Sequence, residues 1–134
     1  MIPISLSYRG ELRCAAEHGP SHTTLITDAP VDNQGKGESF SPTDLVATGL
    51  GTCMLTIMGI VARRDGVALE GATVQLEKHM TPPPRRIARV VMHFAMPVGI
   101  PSEARAKLEH AARTCPVALS IHPDIAIEAD FSWG

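Results

Sequence analysis

The sequence predicts an α+β fold, in which strands in an antiparallel sheet wrap around a long buried central helix. Two observations lead to this prediction: strand-like segments come in runs, and one long segment without any charge separates the runs. The expected order is three strands, a helix, two strands, two helices and a final strand. With 134 residues the chain suits one domain, residues 1–134.

The strands are predicted from alternating or β-branched segments bounded by turn residues. They cover residues 2–9, 11–18, 22–28, 72–80, 86–96 and 124–131. Between the third strand and the central helix, residues 29–40 combine glycine, proline and charged residues. We interpret this segment as a mobile loop, and loops of this length are often functional.

The central helix is predicted from Pro42 to about Arg64. Ser41 is a good N-cap, Pro42 suits the first helical position, and Asp44 follows Ser41 at the spacing of a capping box. Because residues 45–62 contain no charge, the helix should be buried on most sides. Its glycines each cost about 1 kcal/mol relative to alanine, which close approach of other backbones would offset. A second, amphipathic helix is predicted over 102–114, with a further short turn after Cys115.

Composition excludes several classes of protein. An apolar fraction of 44% with 19% charged residues excludes intrinsic disorder. A net charge of −2 gives no reason to expect a nucleic-acid or anionic-membrane partner. Polar residues interrupt the apolar stretches before the length of about 18 that a membrane span needs, and the N-terminus lacks the pattern of a signal peptide. Three cysteines do not make a disulfide framework, so we expect a cytoplasmic protein.

The thiols are the most informative residues. Cys53 lies in the uncharged helix, where Gly49 one turn earlier leaves the sulfur uncovered and Thr56 one turn later offers a hydroxyl. Cys115 lies where one helix ends and Pro116 can begin another, and the positive end of a helix favours a thiolate. Either cysteine could instead be a small buried core residue. Cys14 is best read as a structural strand residue. The scattered histidines and the absence of known motifs predict neither a metal nor a cofactor.

The runs SPTDLVATGLGTCMLTIMGIVARRDG and RTCPVALSI resemble the osmotically inducible protein C and organic hydroperoxide resistance superfamily. The resemblance covers most of the chain. It implies a thiol peroxidase, in which Cys53 attacks an organic hydroperoxide and becomes a sulfenic acid. Cys115 then forms a disulfide with it, and a dithiol reductant, a lipoylated protein in relatives, restores both thiols. It also implies an interwound homodimer with its sites at the subunit interface.

The chain departs from that family in one respect. The best-studied branch pairs an arginine, in a loop between early strands, with a glutamate ten residues before the first cysteine, where this chain has Thr43. Asp44 next to it is better explained as a helix cap. Glu38 is the substitute candidate for the glutamate, and Arg13 is the candidate for the arginine. A thiolate at neutral pH needs such a cation or N–H donors nearby.

Two functions from different classes remain open from the sequence. The first is a cysteine-based peroxidase for organic hydroperoxides that protects against oxidative stress. The alternative is a non-catalytic or redox-sensing protein of the same fold that binds a small ligand. The identity of the hydroperoxide and of the reductant is not encoded in any motif.

Overall fold

The computed structural model describes all residues, Met1–Gly134. The chain forms two compact units, Met1–Val46 and Ala47–Gly134, and the boundary between them falls within the long helix. The observed order of elements matches the prediction and confirms the α+β class.

The first unit is built on a three-stranded antiparallel sheet. Its strands are β1 (Ile4–Gly10), β2 (Arg13–His18) and β3 (Thr24–Asp28), paired in that order. The segment after β3, predicted as a mobile loop, contains a 3-10 turn at Val31–Asn33 and is hydrogen-bonded to the end of β3. The loop therefore has a defined path.

The long helix α1 spans Pro42–Arg64, and its predicted capping box is present. The Asp44 N–H donates to Ser41 Oγ at 3.1 Å, and the Ser41 N–H donates to Asp44 Oδ2 at 2.9 Å. These two bonds satisfy main-chain donors that a helix leaves free at its start. The local pattern Ser-Pro-Thr-Asp is thus sufficient to fix where α1 begins.

The second unit contains the remaining strands and helices. They are β4 (Thr73–Met80), β5 (Ile87–Ala95), α2 (Ser102–Arg113), α3 (Pro116–Ser120) and β6 (Ala126–Ser132). The prediction of strands in an antiparallel sheet is wrong for one pair, because β6 pairs parallel with β5, while β4 and β5 are antiparallel. The α2–α3 segment is the helical crossover that a parallel pair requires.

The core of the second unit lies between one face of α1 and the second sheet. On β4 the residues Val74, Leu76 and Lys78 are half-buried, while Gln75 and Glu77 between them are exposed, as the alternation predicts. The alternation ends at His79, which is half-buried as well. The core comprises buried residues of α1, β5, α2 and the segments beside them. Its completely buried large side chains include Leu50, Met54, Met58, Met92, Phe94 and Leu108.

Helix α1 is buried on one face only within the chain, so the prediction of burial on most sides is wrong for the single copy. Thr52, Thr56 and Ile60 are exposed on the opposite face. By length and composition α1 is apolar enough to cross a membrane, so the expectation that polar residues interrupt every apolar stretch too early for a span is wrong. Its packing on the sheet is that of a core helix.

The glycines of α1 do not contact other backbones, contrary to the prediction. A Cβ at Gly49 would meet nothing within 4 Å. A Cβ at Gly51 would come within 3.1 Å of the Leu76 side chain, and one at Gly59 within 4.0 Å of Leu69. Only Gly51 is therefore explained by close packing inside the chain.

Candidate functional site

Cys53 lies on α1 at the border between its buried and exposed faces. Its side chain is half-buried and packs against the core of the second unit. One turn before it stands Gly49, beside which there is open space. One turn after it, Thr56 is exposed, and its hydroxyl donates to the Thr52 carbonyl at 2.8 Å. The sulfur is thus anchored on the core side and open toward the uncovered face of the helix.

Cys115 is the N-cap of α3 and is completely buried. Its extended backbone allows the chain to turn from α2 into α3, with Pro116 at the first helical position. The Ala118 N–H donates to Cys115 Sγ at 3.4 Å, as a capping side chain accepts from the first turn. The predicted break at Cys115-Pro116 is therefore present, and the thiol points into the fold.

Cys53 packs against the buried core cluster to which Cys115 belongs. Burial is the largest effect on Cys115 and raises the pKa of its thiol, and the neighbouring Cys53 raises it further through a side-chain hydrogen bond and its charge. The Ala118 N–H opposes this shift without cancelling it. The sequence expectation that the helix N-terminus makes Cys115 a thiolate is therefore wrong, because desolvation outweighs the helix. Cys115 is a protonated thiol at neutral pH.

All three cysteines are free thiols in this structure. Cys14 lies in β2 of the first unit, opposite Tyr8 on β1 and Thr27 on β3. It belongs to a different unit from the other two cysteines and is a strand residue, as predicted.

Arg13 and Glu38 form an ion pair in the first unit. Arg13 Nη2 donates to Glu38 Oε1, and the Glu38 side chain is 62% exposed. The same Nη2 also lies 3.3 Å from Asp28 Oδ2. Arg13 and Glu38, which the sequence analysis proposed separately as candidate site residues, are therefore in contact.

Asp28 is the residue of this cluster that sequence reasoning missed. It ends β3 with a completely buried side chain, and its Oδ2 accepts the Glu38 N–H at 3.0 Å. That hydrogen bond lowers the pKa of Asp28 most, and the Arg13 charge lowers it further, so the carboxylate is ionised although burial opposes this. A single aspartate before a loop rich in glycine and proline resembles an ordinary turn residue. Its position directly across from Arg13 follows only from the strand register.

The fold and the thiol pair define an α+β protein with a candidate two-cysteine site. The chain belongs to the family of OsmC-like proteins, whose family model matches residues 35–130. This match confirms the resemblance recognised in the sequence.

Solved structures share the fold of this chain. A protein from Psychrobacter arcticus, proposed to be an osmotic stress induced and detoxification response protein, is 45% identical, with a TM-score of 0.94 over 98% of this chain and 96% of that one. An organic hydroperoxide resistance protein OsmC from Legionella pneumophila is 21% identical, with a TM-score of 0.77 over 98% and 96%. One from Elizabethkingia anophelis is 17% identical, with a TM-score of 0.78 over 100% and 96%. The last two are similar in fold. No curated protein matches the chain.

Proposed function

We propose that this protein is a thiol-dependent peroxidase that reduces organic hydroperoxides and protects the cell against oxidative stress. The observation that carries the proposal is that half-buried Cys53 packs against the core cluster that contains the buried Cys115 thiol. Family membership and the hydroperoxide resistance named for the structural neighbours support the same role.

The reaction proceeds in three balanced steps. The Cys53 thiolate attacks the terminal oxygen of the hydroperoxide, the O–O bond breaks, and a proton completes the released alcohol, leaving a sulfenic acid on Cys53. The Cys115 sulfur then attacks that sulfenic sulfur, and water leaves as the Cys53–Cys115 disulfide forms. A dithiol reductant, for which a lipoylated protein is the candidate, reduces the disulfide and is itself oxidised.

The two thiols have environments suited to different roles. Cys53 is half-buried and lies beside the open space at Gly49, so a substrate can approach it. Cys115 is completely buried and protonated, which keeps it from competing for peroxide. Cys53 is therefore the peroxide-reacting cysteine, and Cys115 is the resolving cysteine.

Arg13 and Glu38 are the proposed supporting pair of this chemistry. A guanidinium stabilises anionic sulfur and oxygen, and Glu38 holds Arg13 by an ion pair. Neither a metal nor an organic cofactor is required by the steps above.

The proposed working form is a homodimer in the cytoplasm. Ile4, Leu6 and Tyr8 alternate along β1 and are 59%, 75% and 66% exposed, so the first sheet presents an uncovered apolar face. The face of α1 beside Cys53 is uncovered as well, and a second copy of the chain would remove both from water. Light scattering of the purified protein gives the molecular mass directly, and a monomer at micromolar concentration would contradict the dimer.

The peroxidase is tested by following the consumption of a bulky alkyl hydroperoxide with a dithiol reductant. We expect turnover in the unmodified protein and none with Cys53→Ser. Cys115→Ser is expected to support one round of oxidation, leaving a sulfenic acid that a dimedone-type probe traps. Cys14→Ser is the matched control and keeps full turnover. Equal rates for the unmodified protein and Cys53→Ser would exclude the mechanism.

A second candidate function is favoured by a cavity in the second unit. It has a volume of about 720 Å³ and is lined mainly by small and apolar residues of α1 and of the segment that follows it. This volume is in the range of small-molecule sites. Native mass spectrometry of the purified protein detects a retained ligand. A bound ligand together with thiols inert to excess hydroperoxide would favour a binding protein over the peroxidase.

A further inference from the structure

We propose that Asp28 is the positioning residue for Arg13: when Glu38 releases the arginine, the buried carboxylate takes the guanidinium side-on through Nε and Nη2. Asp28 is then the permanent partner of Arg13, and Glu38 is the exchangeable one. The effect of this arrangement on turnover rests on the proposed peroxidase function. The arrangement itself concerns only residues of the first unit.

The strand register places the two charges together. Arg13 and Asp28 are direct cross-strand partners on β2 and β3, and directly opposed residues in an antiparallel pair have neighbouring Cβ atoms. Asp28 is completely buried, and its Oδ2 accepts the Glu38 N–H. The main chain of Asp28 is therefore held by the sheet, and its carboxylate is held by a main-chain donor of the segment that follows β3.

Glu38 has the opposite character. It lies in the segment between β3 and α1, and its side chain is 62% exposed. Exposed ion pairs of flexible side chains contribute little to stability and exchange readily with water. Glu38 can therefore leave Arg13 at small cost, whereas Asp28 cannot.

Two buried polar atoms remain unpaired at this point, and they are complementary. Arg13 Nε is a donor and Asp28 Oδ1 is an acceptor, and both are buried with no hydrogen-bond partner. Buried polar groups are rarely left unsatisfied. Nε and Nη2 form one edge of the guanidinium, and Oδ1 and Oδ2 form the matching edge of the carboxylate. A side-on pair would satisfy both atoms at once.

The observed contact explains why that pair is incomplete. Nη2 is shared between Asp28 and Glu38, and it lies 3.3 Å from Asp28 Oδ2. Charge-assisted bonds of this type are usually about 2.7–2.9 Å long. When Glu38 leaves, Nη2 no longer has to serve two carboxylates, and the guanidinium can settle against Asp28. The cation then keeps its place while its outward edge becomes free for an anion.

The experiment measures the Arg13 Nε–Hε group by proton–nitrogen NMR, with Arg13→Lys to assign the signal. With Glu38→Gln we expect the exchange of this proton to slow by about tenfold, because Nε gains a charged acceptor. Asp28→Asn should lose the protected signal. The matched control Glu11→Gln removes an exposed carboxylate that pairs with Lys36 and should change nothing. If Glu38→Gln makes the Arg13 Nε–Hε proton exchange faster, or leaves its exchange unchanged, the side-on pair is overturned. This holds even if Asp28→Asn does not fold.

Measurements of turnover distinguish a positioning role of Asp28 from a purely structural one. We expect Asp28→Asn to lower kcat/KM for a hydroperoxide by about 10- to 100-fold in the native background. In the Arg13→Lys background the same change should cost less than about twofold, because Asp28 acts through Arg13. An equal loss in both backgrounds would overturn the positioning role. Absence of turnover in the unmodified protein would contradict the proposed function, and the NMR result would still decide the role of Asp28.

Discussion

Replacement of Asp44 by alanine tests whether this residue caps helix α1 or acts as a catalytic carboxylate. Asp44→Ala removes the acceptor of the Ser41 N–H, and Ser41 is almost completely buried. Leaving such a donor unpaired costs about 1–3 kcal/mol, and losing a negative charge at the start of α1 costs about 0.3–1 kcal/mol more. We therefore expect the free energy of unfolding to fall by about 2 kcal/mol, which lowers Tm by roughly 5–10 °C in a chain of this size.

The assay combines thermal unfolding, followed by circular dichroism, with hydroperoxide consumption measured well below Tm. Asp44→Ala is expected to lose stability and to retain turnover, because the Asp44 carboxylate serves the main chain of α1. Glu38→Gln provides the opposite comparison: Glu38 is an exposed loop residue, so Tm should change little while turnover changes. Loss of turnover in Asp44→Ala with an unchanged Tm would refute the capping role.

Three further results are expected. Met54→Ala should lower the free energy of unfolding by about 2–5 kcal/mol in urea, because Met54 is completely buried in the core, and a loss below 1 kcal/mol would contradict that packing. Because the pKa of Cys115 is raised, the folded state keeps a proton that the unfolded state loses as pH rises above about 9. The free energy of unfolding should therefore decline above that pH, and urea titrations of Cys115→Ala should not show this decline. Lys107 lowers the pKa of Asp65 through a hydrogen bond of 2.7 Å, so this pair should stabilise the fold above the ordinary pKa near 3.8, and that stabilisation should be lost as pH falls through the lowered pKa. Lys107→Gln should flatten the acid dependence of the free energy of unfolding, and an unchanged acid profile would argue against the pair.

Local sequence patterns were sufficient for the elements and their caps. Ser41, Pro42 and Asp44 fix the start of α1 because their interactions lie within one helical turn. The alternation of half-buried and exposed residues in β4 could be predicted because one face of this strand packs against the core. The parallel pairing of β6 with β5 was not readable, because it joins strands separated by two helices.

The candidate site was only partly predictable. The pair Cys53 and Cys115 followed from resemblance to a family, and in the structure Cys53 packs against the core cluster that contains Cys115. The protonated state of Cys115 depends on burial, which no local pattern encodes. Asp28 was missed because its importance comes from strand register and from a loop that returns to it.

The central claim is that Cys53 and Cys115 are the redox pair. The most direct measurement is mass-spectrometric mapping of disulfides after one equivalent of an organic hydroperoxide is added to the reduced protein. We expect a peptide in which Cys53 is joined to Cys115, while Cys14 remains a free thiol. A disulfide that includes Cys14, or reduced Cys53 after the peroxide has been consumed, would contradict the account.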